Sequence, residues 1–108
     1  PATWSHISVS DRISFIKKWL DVVGITLHAQ PLLYMGNDFY NTLQGDTSLG
    51  AYKLWLTDYR STPRVPAAWT KYSAWQYTSG GNCPGVSTNV DLDQVEGTMT
   101  DLNWLRVP

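Results

Sequence analysis

Four short stretches of strand-forming residues, each fenced by proline or glycine, constrain this chain more than any other feature. Residues 32–35 stand between Pro31 and Gly36, and residues 52–59 lie between Gly50 and Pro63. Residues 72–79 follow Pro66 and run into Gly80-Gly81, and Val90–Val95 lies between Gly85 and Gly97. Runs of this length, rich in aliphatic and aromatic residues and bounded by turn formers, read as strands. Pro63 and Pro66 cannot donate to a ladder, so the segment around them is a loop. Four strands are too few to close a barrel, and an open sheet leaves unpaired edges that folded proteins normally cover.

Ahead of the first strand, Ser8-Val9-Ser10-Asp11 reads as a helix start, with a serine to cap free N–H groups and Asp11 at the positive end of the dipole. Ile13, Ile16, Leu20 and Val23 then recur at helical spacing, with Phe15 and Trp19 beside them. Gly24 is the expected stop, and Lys17 and Lys18 fall on the solvated side. Residues 37–45 read as a short helix capped by Asn37 and stopped by Gly45. Residues 80–89 form a glycine-rich loop, and residues 98–105 end in a helical turn. The order helix, strand, short helix, strand, strand, strand makes an α/β chain of about four strands with one long and one or two short helices.

Composition removes several function classes. A net charge of −1 without a basic run gives no electrostatic basis for binding nucleic acid or anionic membranes. No apolar stretch approaches the roughly 20 residues of a membrane span. Cys83 is the single cysteine, which excludes an internal disulfide and a multi-cysteine metal site, and His6 and His28 are too scattered for a metal pair. No cofactor is indicated. Only 16% of residues are charged, which implies a surface that expects a partner. The chain starts at Pro1 without an initiator Met, as expected of a processed, cut or partial product. Six Trp and six Tyr supply flat apolar faces with polar edges, surfaces suited to stacking on sugar rings.

Polar and aromatic residues gather at strand ends: Tyr34, Asp58, Tyr59, Gln76, Tyr77 and Asp91. α/β barrels and open α/β sheets place their chemistry there. Asp91 and Asp93 are two apart on one strand, so both leave the same face if the strand stays regular, about 7 Å apart. Glu96, the chain's one glutamate, follows the strand and reads as a surface residue. Asp11, Asp21, Asp38, Asp46 and Asp101 read as caps, loops or solvated faces.

Several blocks in order resemble glycoside hydrolase family 25, the Chalaropsis-type lysozymes or N-acetylmuramidases, and specifically its C-terminal half. They are Pro31-Leu-Leu-Tyr34, Leu54-Trp55, Trp75-Gln-Tyr-Thr-Ser79 and Val90-Asp-Leu-Asp93, within a match running from about Phe15 to Leu105. Met35 and Tyr40 depart from the family's commoner Thr and Trp. The resemblance implies half of a modified, irregular (β/α) barrel that cuts the β-1,4 bond between N-acetylmuramic acid and N-acetylglucosamine in peptidoglycan. Asp91 matches the family's late active-site aspartate and is the expected catalytic residue, with Asp93 its structural neighbour. Tyr34 matches a groove tyrosine, and one of Trp75 and Tyr77 is expected to face substrate. Tyr59 and Asp58 complete the expected substrate-binding set. The glutamate of the family's Asp-x-Glu motif, its general acid, belongs to the N-terminal half and has no counterpart here. The expected partners are therefore peptidoglycan glycan strands and that other half, in an extracellular, secreted or phage-lytic setting. The alternative is a non-catalytic half-barrel that binds cell-wall glycan or self-associates.

Overall fold

Ser8 opens the long helix as its sequence demands: its Oγ accepts the Asp11 N–H at 3.1 Å, satisfying one of the free donors of the first turn. In the computed structural model, which describes residues 2–105, this helix is α2 (Val9–Leu27), preceded by a single turn, α1 (Ala2–Ser5). Ile13, Ile16 and Leu20 are its buried stripe. Phe15 and Trp19 are 65% and 56% exposed, so the buried stripe is narrower than the apolar spacing predicts. The helix also runs one turn past Gly24. It stops where His28 takes a left-handed conformation (φ 50°), its N–H and that of Ala29 both bonding back to the Gly24 carbonyl. The stop is thus set by the residue that turns left-handed, ahead of Pro31, and not by the glycine itself.

The four expected strands form one sheet in the order β1-β2-β3-β4: β1 (Leu32–Gly36), β2 (Lys53–Thr57), β3 (Ala74–Gly81) and β4 (Val90–Val95). β1, β2 and β3 are parallel, and β4 returns antiparallel to β3. Helix α3 (Asn37–Asn41) follows β1, with Gly36 at its cap position. Asn37 does not cap it; its side-chain amide donates to the Arg64 carbonyl at 2.8 Å and ties down the proline-bearing loop. A one-turn 3-10 segment at Ser48–Ala51 and a longer one at Met99–Leu105 complete the elements.

Alternation along the strands divides the sheet into two faces. Met35, Leu54 and Leu56 point toward α2 and join Ile13, Ile16, Leu20, Tyr40, Leu43 and Leu49 in one core, with Leu33, Trp69, Tyr72 and Trp75 packed at its margin. Met35 and Tyr40 are both buried in this core, so their departures from the family pattern alter packing behind the sheet. The opposite face carries Tyr34, Trp55, Thr57 and Gln76, and no described helix covers it.

β3 outlasts its expected end and runs through Gly80 and Gly81. Close strand approach explains the glycine: a Cβ on Gly81 would lie 2.4 Å from Leu92 Cγ and 2.9 Å from the Val90 carbonyl oxygen. Residues 80 and 81 therefore serve strand pairing, and the loop proper begins after them.

Candidate active site

Gln76 organises the uncovered face. It is 5% exposed, and its Oε1 accepts hydroxyl hydrogens from Tyr34 at 2.7 Å, Tyr59 at 3.0 Å and Thr57 at 3.2 Å. The strand registry produces this convergence. Tyr34 lies beside Trp55 across β1 and β2, and Thr57 beside Gln76 across β2 and β3. All of these side chains therefore leave the same side of the sheet. The Tyr34 ring meets the Trp55 ring edge-on, centroids 5.1 Å apart at 76°, a favourable arrangement of aromatic quadrupoles. Trp55 in turn donates its indole N–H to Asp93 Oδ1 at 2.7 Å. Tyr34 and Tyr59 remain 50% and 55% exposed, so this face is a polar-edged aromatic surface open to solvent.

Asp93 faces Gln76 across the β3–β4 ladder. The register shifts between Gln76 and Thr78 and between Thr78 and Gly81 both place the extra residue on β3. β4 therefore keeps its own alternation, and Asp91 leaves the same face as Asp93. Because β4 is antiparallel, it starts where the parallel strands finish, with Val90 opposite Gly81. Asp91 is exposed and makes no hydrogen bond or ion pair among the described residues, whereas Asp93 is engaged by Trp55.

The other expected site residues lie elsewhere. Trp75 pairs in register with the buried Leu56 and packs against the helix-side core. Its indole N–H donates to the Asp58 carbonyl at 2.7 Å. Tyr77 stacks beside it at 5.7 Å. Trp75, adjacent to Gln76 and in register with Leu56, faces away from Tyr34, and Tyr77, at the register shift of β3, packs against the Trp75 ring. The Asp58 carboxylate is occupied within its own loop, accepting the backbone N–H groups of Arg60 at 3.3 Å and Arg64 at 2.9 Å. Asp58 and Trp75 thus brace the loop that presents Tyr59. Beside them, at the ends of β1 and β2, Gly36, Asn37, Asp38, Thr57, Tyr59 and Arg60 line a cleft of about 380 Å³.

Two carboxyls have clearly displaced pKa values, both downward. The hydroxyl and then the N–H of Ser48 hold Asp46 below its usual value, and the N–H and hydroxyl of Thr98 do the same for Asp101. A proton donor for glycoside cleavage needs the opposite displacement. No group of three or more His, Cys, Asp or Glu among the described residues is arranged to hold a metal ion.

The sequence profile of the glycosyl hydrolases family 25 matches residues 5–86, well over half of the chain. The chain belongs to that family. No curated protein gives a significant sequence match. Solved structures agree with the family's fold. A bacterial lysozyme from Streptomyces coelicolor superposes with a TM-score of 0.84 at 22% identity, over 90% of this chain and 46% of that one. A muramidase from Acremonium alcalophilum gives 0.77 at 19% identity, again over 90% and 46%. A family GH25 lysozyme from Aspergillus fumigatus gives 0.75 at 23% identity over the same shares. This family 25 chain therefore spans about half the length of the structures it resembles, and its four-stranded sheet and long helix are part of the lysozyme fold.

Two residues central to this face were absent from the expected site set. Trp55 belongs to the Leu54-Trp55 block and Gln76 to the polar residues expected at strand ends, but the resemblance gives neither a role in the site. The signal was available for Gln76: a glutamine in a strand otherwise of aromatic and small residues needs buried partners, and hydroxyl-bearing Tyr34, Thr57 and Tyr59 stand at neighbouring strand ends.

Proposed function

We propose that this chain forms one wall of the active site of a muramidase, which cleaves the β-1,4 bond between N-acetylmuramic acid and N-acetylglucosamine in peptidoglycan. The observation that carries the reading is the uncovered sheet face, on which Tyr34, Trp55, Tyr59 and Gln76 adjoin the strand bearing Asp91 in a family 25 chain. Glycoside hydrolysis uses two carboxyl groups on either side of the scissile bond, one donating a proton and the other stabilising or attacking the anomeric centre. Asp91 takes the second part, being exposed on this face and without a partner among the described residues. Asp93 is held by Trp55 and fixes the strand. Tyr34 and Tyr59 contact the glycan, with Trp75, Tyr77 and Asp58 supporting them from behind. The general acid comes from the other half of the barrel, carried on the same or another polypeptide and covering the open face. The substrate places the reaction at the cell wall, in an extracellular or phage-lytic setting. No described helix is long and apolar enough to cross a membrane.

The test is the mass of the native assembly, read beside clearance of a cell-wall suspension. The expected result is lysis by a species containing more than this chain, reduced at least ~100-fold by Asp91→Asn while circular dichroism stays unchanged. Lysis at the parent rate by Asp91→Asn would remove Asp91 from the chemistry. A lone inactive chain, or an inactive self-dimer that still binds glycan, would replace the hydrolase reading with the glycan-binding one.

A further inference from the structure

Two opposite charges line the cleft at the ends of β1 and β2 without meeting. Asp38 stands exposed in the first turn of α3 and makes no hydrogen bond or ion pair among the described residues. Arg60 comes from the loop after β2. Its Nε lies 3.5 Å from Asp58 Oδ1, which anchors the guanidinium by one nitrogen. The Arg60 side chain stays 58% exposed, and its two terminal amino groups make no hydrogen bond among the described residues. Asp58 differs: its side chain is only 9% exposed, and both oxygens are engaged by the N–H groups of Arg60 and Arg64. The charges this cleft offers to a ligand are therefore one guanidinium and one carboxylate.

The chemistry of the two groups defines what fits them. A guanidinium with its terminal groups exposed matches a carboxylate, which it holds through two parallel N–H···O bonds. The Asp38 carboxylate accepts from an ammonium, a group with three donors and no acceptor. A ligand with a single charge would engage one of them and leave the other idle. The free end of an amino acid carries ammonium and carboxylate on one carbon and engages both. Thr57 and Tyr59 line this cleft and also donate to Gln76. The cleft therefore opens from the sheet face proposed to hold the glycan, where a peptide branching from that glycan can enter it.

We propose that this cleft binds the stem peptide of peptidoglycan, holding the amino-carboxylate end of a diaminopimelate side chain between Arg60 and Asp38. The proposal rests on the peptidoglycan reading above and adds the type of wall that is recognised. Walls built on diaminopimelate are preferred over walls built on lysine, whose side chain ends in an ammonium alone and leaves Arg60 without a partner. Both contacts are partly solvated, so each is modest in strength and weakens as salt rises.

The experiment titrates the native chain at low salt with two tripeptides, L-alanyl-γ-D-glutamyl-meso-diaminopimelate and its L-lysine counterpart, and follows amide chemical shifts. The peptides differ only in the carboxylate on the last side-chain carbon. The diaminopimelate peptide is expected to bind about 5-fold tighter, the worth of one partly exposed charge pair, with the largest shifts around Asp38 and Arg60. Arg60→Gln is expected to remove that preference and leave the affinity for the lysine peptide unchanged, whereas Asp38→Asn weakens both peptides. Both side chains are exposed, so neither change disturbs the core. Equal affinity of the native chain for the two peptides overturns the proposal without any variant. Binding of neither peptide overturns it as well, and so does a preference that survives in Arg60→Gln. Wall lysis by the native assembly with no peptide preference would sink this proposal alone. A peptide preference without lysis would instead remove the muramidase chemistry and leave the peptide site standing.

Discussion

Replacing Trp75 separates a residue that supports the sheet from one that holds substrate. The side chain packs against the helix-side core, lies 5.8 Å from the Tyr72 ring and 5.7 Å from the Tyr77 ring, and donates its indole N–H to the Asp58 carbonyl at 2.7 Å. Truncating a fully buried tryptophan to alanine costs about 3–5 kcal/mol; for half-buried Trp75 the lower end of that range applies, and part of it is the two ring contacts, worth about 0.5–1.5 kcal/mol each. Trp75→Phe keeps most of the apolar volume and removes the hydrogen bond. It should cost about 1–2 kcal/mol, since the net bond is worth about 1 kcal/mol and the Asp58 carbonyl loses its donor. Urea unfolding of parent and variants, followed by far-ultraviolet circular dichroism, measures both numbers. The expected order is parent, then Trp75→Phe, then Trp75→Ala, with chitotetraose affinity reduced only as far as the Tyr59 loop loosens. If Trp75→Ala unfolds within 1 kcal/mol of the parent while glycan affinity collapses, Trp75 is a groove residue and the assignment of faces is wrong.

Two further predictions concern backbone packing and pH. A Cβ on Gly50 would sit 2.1 Å from the Ala68 carbonyl oxygen, a backbone atom that cannot swing away, so Gly50→Ala should destabilise by about 1–3 kcal/mol; an unchanged urea midpoint would show that the 3-10 turn and the loop separate freely. The Asp46 and Asp101 carboxyls are held below the usual carboxylate range by bonds to Ser48 and Thr98. Their unfolded pKa exceeds the folded one, so their stabilisation is present above about pH 4 and is lost as the pH falls through the lowered folded values. The double variant Asp46→Asn, Asp101→Asn should therefore show a shallower loss of stability below pH 4 than the parent, and an identical acid profile would refute it.

The sequence by itself determined the inventory of elements and the family. Proline and glycine fences located all four strands, because the missing N–H of proline and the turn preference of glycine act locally. Ser8 and the Ile13, Ile16, Leu20 spacing located the long helix for the same kind of reason, and the ordered blocks around Tyr34, Trp55, Trp75 and Asp91 pointed to family 25. Tertiary structure decided element ends and side-chain partners. Gly24 did not stop the helix, since termination depended on His28 turning left-handed. Gly81 belongs to β3 because Leu92 and Val90 press against it. Tyr34 and Gln76 are 42 residues apart, and no local rule joins them. Parallel registry brings them to one face, and the same registry sends Trp75 to the other. Alternation states that neighbours on a strand face opposite ways, but only packing of α2 on Leu54 and Leu56 settles which way is inward.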